Sequence, residues 1–156
     1  MLDWLQSTQL AVWLGESPSV WALPTVLTLH TGGMAVLVGA SWLLDLRLLG
    51  ISRNVPLSAY RWVFPVLTVG LVINLVTGIL LFIKNATALG TAMPFFVKMG
   101  LVIVSVATLM PLRTYVTRSD LETREVNGRA RLLAIVSIVA WTGAVTAGRL
   151  LAYLIP

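Results

Sequence analysis

The sequence predicts an all-α integral membrane protein, a bundle of four transmembrane helices with an N-terminal interfacial helix. Of the 156 residues, 58% are hydrophobic and only 11% are charged, whereas ordinary soluble domains are roughly 25% charged. Two long runs carry no charge, with 28 residues between Glu16 and Asp45 and 22 residues between Arg61 and Lys84. Each run can cross a bilayer as a helix, which takes about 20 apolar residues. No segment alternates apolar and polar residues with the period of two that strands show.

The first sixteen residues mix apolar and polar side chains and include the acids Asp3 and Glu16 but no base. A cleaved signal peptide begins with basic residues, so this is not the pattern of a signal. Trp4 and Trp13 suit the headgroup region of a membrane. We therefore expect an interfacial helix over residues 2–14, with a disordered tail as the alternative.

Four apolar segments follow, and most are bounded by capping or turn signals. Ser17 and Pro18 suit the N-cap and first turn of the first transmembrane helix. Its exit is marked by Asp45, Arg47 and Gly50. The predicted spans cover about residues 18–44, 62–83, 95–112 and 132–154 of a single membrane domain that takes up the whole chain, residues 1–156.

The arginines predict the orientation. Loops rich in Lys and Arg stay on the cytoplasmic side of a membrane. The side opposite the arginine-rich loops carries only Lys84, Lys98 and Arg149. We therefore expect both arginine-rich connections in the cytoplasm and both termini outside. The bases in those connections are Arg47, Arg53 and Arg61 in the first, and Arg113, Arg118, Arg124, Arg129 and Arg131 in the other.

Several functional classes are excluded by composition. The net charge is +5, but the arginines lie in short loops, so no basic stripe remains to bind nucleic acid. The lack of cysteine excludes disulfides and thiolate metal sites. The single histidine, His30, excludes a multi-histidine metal site within one chain. A serine triad also needs an acid that orients the histidine, and no acid is expected at the depth of His30 in the membrane. We predict no catalytic residue, and any catalysis would have to come from a cofactor.

Three ionisable residues, His30, Lys98 and Arg149, are predicted inside the spans, where each costs several kcal/mol unless it is paired or hydrated. With the orientation above, all three fall in the outer half of the bilayer. They define a candidate cofactor-binding site for an anionic group, such as a lipid phosphate or a haem propionate. His30 would be a metal ligand only if haem is bound.

These residues also have purely structural interpretations. Lys98 and Arg149 lie close enough to the surface to snorkel to the headgroups. A neutral His30 would hydrogen-bond between helices, with Asn74 or Thr77 as the partner. Small residues form stripes on three of the helices and favour close packing: Gly32, Gly33, Ala35, Gly39 and Ala40; Gly70, Asn74 and Gly78; and Ala140, Ala144 and Gly148.

Four stretches, in this order along nearly the whole chain, carry a resemblance to a known family. The first stretch comprises residues 29–30, 33–39 and 44–50, and the second comprises residues 77–82. The third comprises residues 96–99 and 101–102, and the fourth comprises Trp141 and residues 148–153. As a set they resemble a family of small four-helix bacterial inner-membrane proteins of unknown function. More distantly, the histidine of the first span and the lysine that opens the third are similar to those of copper-resistance and haem-pathway membrane domains. The resemblance implies an inner-membrane location, establishes no activity, and places His30, Lys98 and Arg149 at motif positions.

The chain departs from this family in one place. Relatives often have Asn and then Phe-His near the end of the third span, where this chain has Met110 and Thr114-Tyr115. The departure argues against a haem site with two histidine ligands. The axial ligand pairs that stay open are His30 with Met34 and His30 with Met110.

The sequence therefore predicts a non-catalytic accessory subunit or oligomeric bundle with an outer-leaflet polar pocket for lipid or cofactor. Its partners would be the bilayer and either further copies of itself or a larger membrane complex. One alternative is an electron-transfer protein in which His30 holds haem b and Lys98 and Arg149 pair with the propionates. A further alternative is a small transporter that acts as an oligomer.

Overall fold

The computed structural model describes residues 2–19, 21–117 and 126–154. These ranges contain seven α-helices, a 3-10 turn at Leu57–Tyr60, and no strand. The helices are α1 (Leu2–Gln6), α2 (Gln9–Glu16), α3 (Ala22–Leu49), α4 (Val63–Lys84), α5 (Ala86–Leu89), α6 (Met93–Thr117) and α7 (Gly128–Leu154).

Four of these helices, α3, α4, α6 and α7, are long and apolar enough to cross a membrane. The longest, α3, has 28 residues and therefore extends about 42 Å at 1.5 Å per residue. That length exceeds the hydrocarbon core of a bilayer, which is about 30 Å thick. The prediction of an all-helical chain with four helices of membrane-spanning length is confirmed, which supports a multi-pass membrane protein.

The long helices pack as two antiparallel hairpins. α3 packs along α4, α6 packs along α7, and the hairpins join where α3 packs on α7. The outer helices α4 and α6 make little contact, but the rings of Phe82 and Phe95 stack across them with centroids 5.3 Å apart. The buried centre of the bundle therefore lies along α3 and α7.

The two ends of the bundle differ in what covers them. At one end, α1 packs on α5 and α4, and α2 packs on α4 and α3. The side-chain carbonyl of Gln6 accepts hydrogen bonds from the backbone N–H and the hydroxyl of Thr87. We call this the cap end. We call the opposite end, which holds residues 50–62 and the start of α7, the arginine end.

Buried apolar side chains are concentrated near the arginine end. We define the arginine half as residues 36–49 of α3, 63–73 of α4, 105–117 of α6 and 128–141 of α7, and the cap half as the remainder of these helices. In the cap half, α6 has no buried residue between Met93 and Val104. The main core cluster lies in the arginine half, together with Leu57 of the adjoining 3-10 turn. It consists of Leu37, Val38, Leu44, Leu48, Leu57, Val63, Phe64, Leu67, Leu112, Val116, Ala130, Ala134 and Trp141.

The N-terminal helices differ from the predicted boundaries. The expected single helix over residues 2–14 is two helices, because Thr8 caps α2 by accepting a hydrogen bond from the Ala11 N–H. The first long helix begins at Ala22 rather than at Ser17 and Pro18. The Ser17 hydroxyl instead accepts from the backbone of Ser19, which shapes the turn between α2 and α3.

Two of the long helices, α3 and α6, end later in the chain than predicted. α3 continues through Asp45 and Arg47 to Leu49 and ends at Gly50, whose φ of 108° favours glycine. α6 continues past Pro111 to Thr117, because a membrane helix tolerates an internal proline. Part of the predicted arginine-rich connection, residues 118–125, lies outside the described residues.

Candidate functional site

His30 is half-buried on α3, and its ring faces α4. Its Nδ1 lies 2.8 Å from the hydroxyl oxygen of Thr77, which itself donates to the Ile73 carbonyl oxygen at 2.6 Å. A threonine hydroxyl has a single hydrogen, so Thr77 accepts from the N–H of His30 Nδ1. This assignment leaves the Nε2 lone pair of His30 free to bind a ligand. Of the two partners expected for a neutral His30, Asn74 and Thr77, the structure shows Thr77.

The glycines near His30 have different roles. A Cβ added at Gly78 would lie 3.4 Å from His30 Cε1, so Gly78 makes room for the ring. A Cβ at Gly33 would lie 2.8 Å from Ile73 and Asn74 side-chain atoms. Gly33 therefore lets α3 approach α4 closely, as expected of the small-residue stripe to which it belongs. Gly32 faces open space.

Lys98 is half-buried on α6 and lies across Gly148 of α7. A Cβ added at Gly148 would lie 3.5 Å from both Cε and Nζ of Lys98. Lys98 and His30 both lie in the cap half, on α6 and α3 of different hairpins.

Arg149 follows Gly148 on α7 and is exposed. It lies in the cap half with His30 and Lys98 but does not share their partly buried surroundings. Of the three residues, His30 and Lys98 are therefore half-buried and Arg149 is exposed.

A shallow apolar groove runs between α6 and α7 on the outside of the bundle. The hydroxyls of Thr142 and Thr146 donate to carbonyls of their own helix, so they present mainly apolar surface to it. The cap end of the groove is marked by Val97 and Leu150, the sequence neighbours of Lys98 and Arg149. The remaining lining residues are Leu101, Ile138, Val139, Gly143 and Ala147.

The methionines do not complete an axial pair with His30. Met110 is 80% exposed and lies in the arginine half of α6. Met34 lies one turn after His30 on the same face of α3. Axial ligands bind opposite faces of a haem, so neighbouring turns of one helix do not supply both. The expectation of a His30 pair with either methionine is therefore wrong, and His30 would be a single axial ligand.

The sequence interpretation missed a polar cluster at Asp45. This residue was expected at the exit of the first span, but it lies inside α3 with 0% of its surface exposed. Ser41 donates to Asp45 Oδ2 at 3.3 Å, and its hydroxyl lies 3.2 Å from that of Ser137 on α7. The spacing of Ser41 and Asp45, four residues apart, puts them on one helix face and was visible in the sequence. The partner on α7 was not.

Arg47 was expected in a cytoplasmic loop, but it is a buried residue of α3. Its Nε donates to the Val55 carbonyl oxygen at 2.7 Å, and its guanidinium also donates to the Arg53 carbonyl oxygen at 3.1 Å. Arg47 therefore holds the connection that follows α3 against the bundle.

The fold and the site define a multi-pass helical membrane protein with a small polar region in its cap half. Within the described ranges, no group of three or more His, Cys, Asp or Glu residues is placed to hold a metal ion. None of the protein-family models, curated proteins or solved structures compared with the chain matches it. The resemblance to small inner-membrane proteins therefore stays a prediction.

Proposed function

We propose that this protein is a non-catalytic bundle of the bacterial inner membrane, an accessory subunit or homo-oligomer, that binds an anionic phospholipid in its cap half. The groove between α6 and α7 supports this proposal because its cap end adjoins Lys98 and Arg149 in sequence. An acyl chain lying in the groove would bring a headgroup phosphate to these two cations. Under the predicted orientation, this is the outer leaflet.

Selectivity in such a site comes from the headgroup. Binding of an acyl chain in an apolar groove contributes little free energy, because the neighbouring lipids solvate the chain equally well. A Lys or Arg near an anionic headgroup contributes about 1 kcal/mol. Two cations therefore give about a thirtyfold preference for an anionic over a zwitterionic lipid.

Native mass spectrometry of the detergent-purified protein, equilibrated with equal amounts of phosphatidylglycerol and phosphatidylcholine, tests the proposal. We expect wild type to retain phosphatidylglycerol selectively and the double variant Lys98→Gln, Arg149→Gln to lose the preference. Lys84→Gln is the matched control, since Lys84 ends α4 at the same end of the bundle. A preference that survives the double variant, or that Lys84→Gln removes equally, contradicts the proposed site.

Self-association is supported by the lipid-facing side of α3. Gly32, Ala35 and Gly39 are exposed, and no atom lies within 4 Å of a Cβ added at Gly32 or Gly39. Small residues at this spacing let two membrane helices approach closely. Size-exclusion chromatography with light scattering should show an oligomer that Gly39→Leu dissociates. A wild type that is strictly monomeric after mild extraction contradicts the oligomeric form of the proposal.

A second candidate is a b-type haem with His30 as its axial ligand. The hydrogen bond from Nδ1 to Thr77 favours it, because ligating histidines usually donate their other ring N–H and thereby orient the ligating nitrogen. Lys98, in the same half of the bundle, would then pair with a propionate. Protein purified from cells supplied with haem precursor should show a Soret band that His30→Ala removes, and a colourless wild type excludes this candidate.

A further inference from the structure

We propose that Asp45, Ser41 and Ser137 form a binding site for one monovalent metal cation of the size of sodium. The site lies where α3 packs on α7 in the arginine half. It shares no residue with the lipid site proposed above, so the two proposals are tested independently.

The first argument is an unpartnered buried oxygen. Asp45 is 0% exposed, and its Oδ1 accepts no hydrogen bond from any described residue. Arg47, the nearest base along the chain, directs its guanidinium to the carbonyl oxygens of Val55 and Arg53. A buried carboxylate is costly unless a bound cation or a proton neutralises it, and the spacing of the neighbouring oxygens favours the cation.

The second argument is the spacing of the oxygens. The hydroxyl of Ser41 lies 3.3 Å from Asp45 Oδ2 and 3.2 Å from the Ser137 hydroxyl. These separations are longer than the usual O–H···O distance of about 2.7–2.8 Å. Two oxygens that bind one cation at right angles, each at about 2.4 Å, lie about 3.4 Å apart. The cluster is therefore spaced more like a set of cation ligands than like a chain of hydrogen bonds.

The charge of the site selects the kind of cation. Carboxylate and hydroxyl oxygens are hard ligands, which suit alkali and alkaline-earth ions. One carboxylate balances a single positive charge, whereas a divalent ion would leave a net charge buried in the bundle. Asp45 lies four residues before the end of α3, about 6 Å from the arginine end. A cation would therefore enter from that end.

Thermal unfolding of the purified protein in detergent micelles tests the site. At fixed pH and ionic strength, sodium chloride replaces choline chloride in steps. We expect the Tm of wild type to rise with the logarithm of the sodium concentration once sodium exceeds its dissociation constant, by about 5 °C at roughly a hundredfold excess. Asp45→Asn keeps the shape of the side chain but removes its charge, and it should abolish this increase. Ser137→Ala should weaken it.

Ser105→Ala is the matched control. Ser105 is also a fully buried serine, but its hydroxyl donates to the Leu101 carbonyl of its own helix, so the sodium effect should persist. Equilibrium dialysis against ²²Na⁺ should find one ion per wild-type chain and none with Asp45→Asn. A wild-type Tm that depends on pH but not on sodium, or sodium binding that survives Asp45→Asn, overturns the proposal.

Discussion

The arginine half and the cap half of the bundle are built from the same kinds of residue but are packed differently. In the arginine half, all four long helices contribute to one apolar core around Trp141, which is 0% exposed. In the cap half, α6 buries no residue between Met93 and Val104. His30 and Thr77 join α3 to α4 there by a hydrogen bond.

The difference separates stability from binding. Helices in a bilayer gain little from burying apolar surface, so they associate through close packing and polar contacts. A half that is already filled leaves no room for a ligand as large as a lipid chain or a haem, whereas the cap half, where α6 buries no residue between Met93 and Val104, does. We therefore expect the arginine half to determine the stability of the bundle and the cap half to determine which lipid or haem it binds.

The comparison depends first on the two ends lying on opposite sides of the membrane. Reporter fusions after Thr123 and at the C-terminus should report opposite compartments, with Thr123 in the cytoplasm, because the arginine-rich connections stay inside. This is an all-or-none result. If both reporters lie in the cytoplasm, the predicted number of spans is wrong. If the C-terminal reporter lies in the cytoplasm and the Thr123 reporter lies outside, the predicted orientation is wrong.

The packing difference predicts a large effect in the arginine half. Trp141→Ala should lower the free energy of unfolding by about 3 kcal/mol, because it leaves a cavity in the core. Phe96→Ala in the cap half, where the ring is 55% exposed, should cost less than about 0.5 kcal/mol. Unfolding in mixed micelles with increasing SDS measures both variants. If both variants lose the same free energy of unfolding, the two halves do not differ in their contribution to stability.

The contact between α3 and α4 crosses both halves and should be sensitive to added bulk. A Cβ at Gly70 would lie 3.1 Å from the backbone nitrogen of Leu37, so Gly70→Val should destabilise the bundle by about 2 kcal/mol through overpacking. Gly100→Val on α6 is the control, because nothing lies within 4 Å of a Cβ there. The same SDS titration measures both variants. If Gly70→Val does not lower the free energy of unfolding, α3 and α4 do not pack closely at Gly70.

The polar contact in the cap half should contribute the least. A double-mutant cycle of His30→Ala and Thr77→Val should give a coupling free energy of about 0.6 kcal/mol, which is typical of hydrogen bonds between membrane helices. Unfolding of the four proteins in SDS micelles measures it. A coupling above about 2 kcal/mol would make His30 mainly a structural residue and weaken the case for a ligand at its free Nε2.

Much of the candidate site follows from the sequence because it depends on local pattern. His30 and Lys98 stand out as ionisable residues in apolar runs, and Thr77 was one of two partners expected for His30. The second partner, Asn74, donates instead to the Gly70 carbonyl within α4. A choice between two polar residues one turn apart depends on helix rotation, which the hydropathy pattern does not determine.

The sequence by itself determined the four long helices and the concentration of arginines in and beside two connections. These features depend on the length of apolar runs and on charge, both of which are local properties. Only the tertiary structure decided that Asp45 and Arg47 are buried and that Ser41 meets Ser137, 96 residues away. It also decided that the core fills one half of the bundle. The physical reason is that lipid solvates every apolar face equally well, so composition shows which segments enter the membrane, while the fit of side chains decides which faces meet.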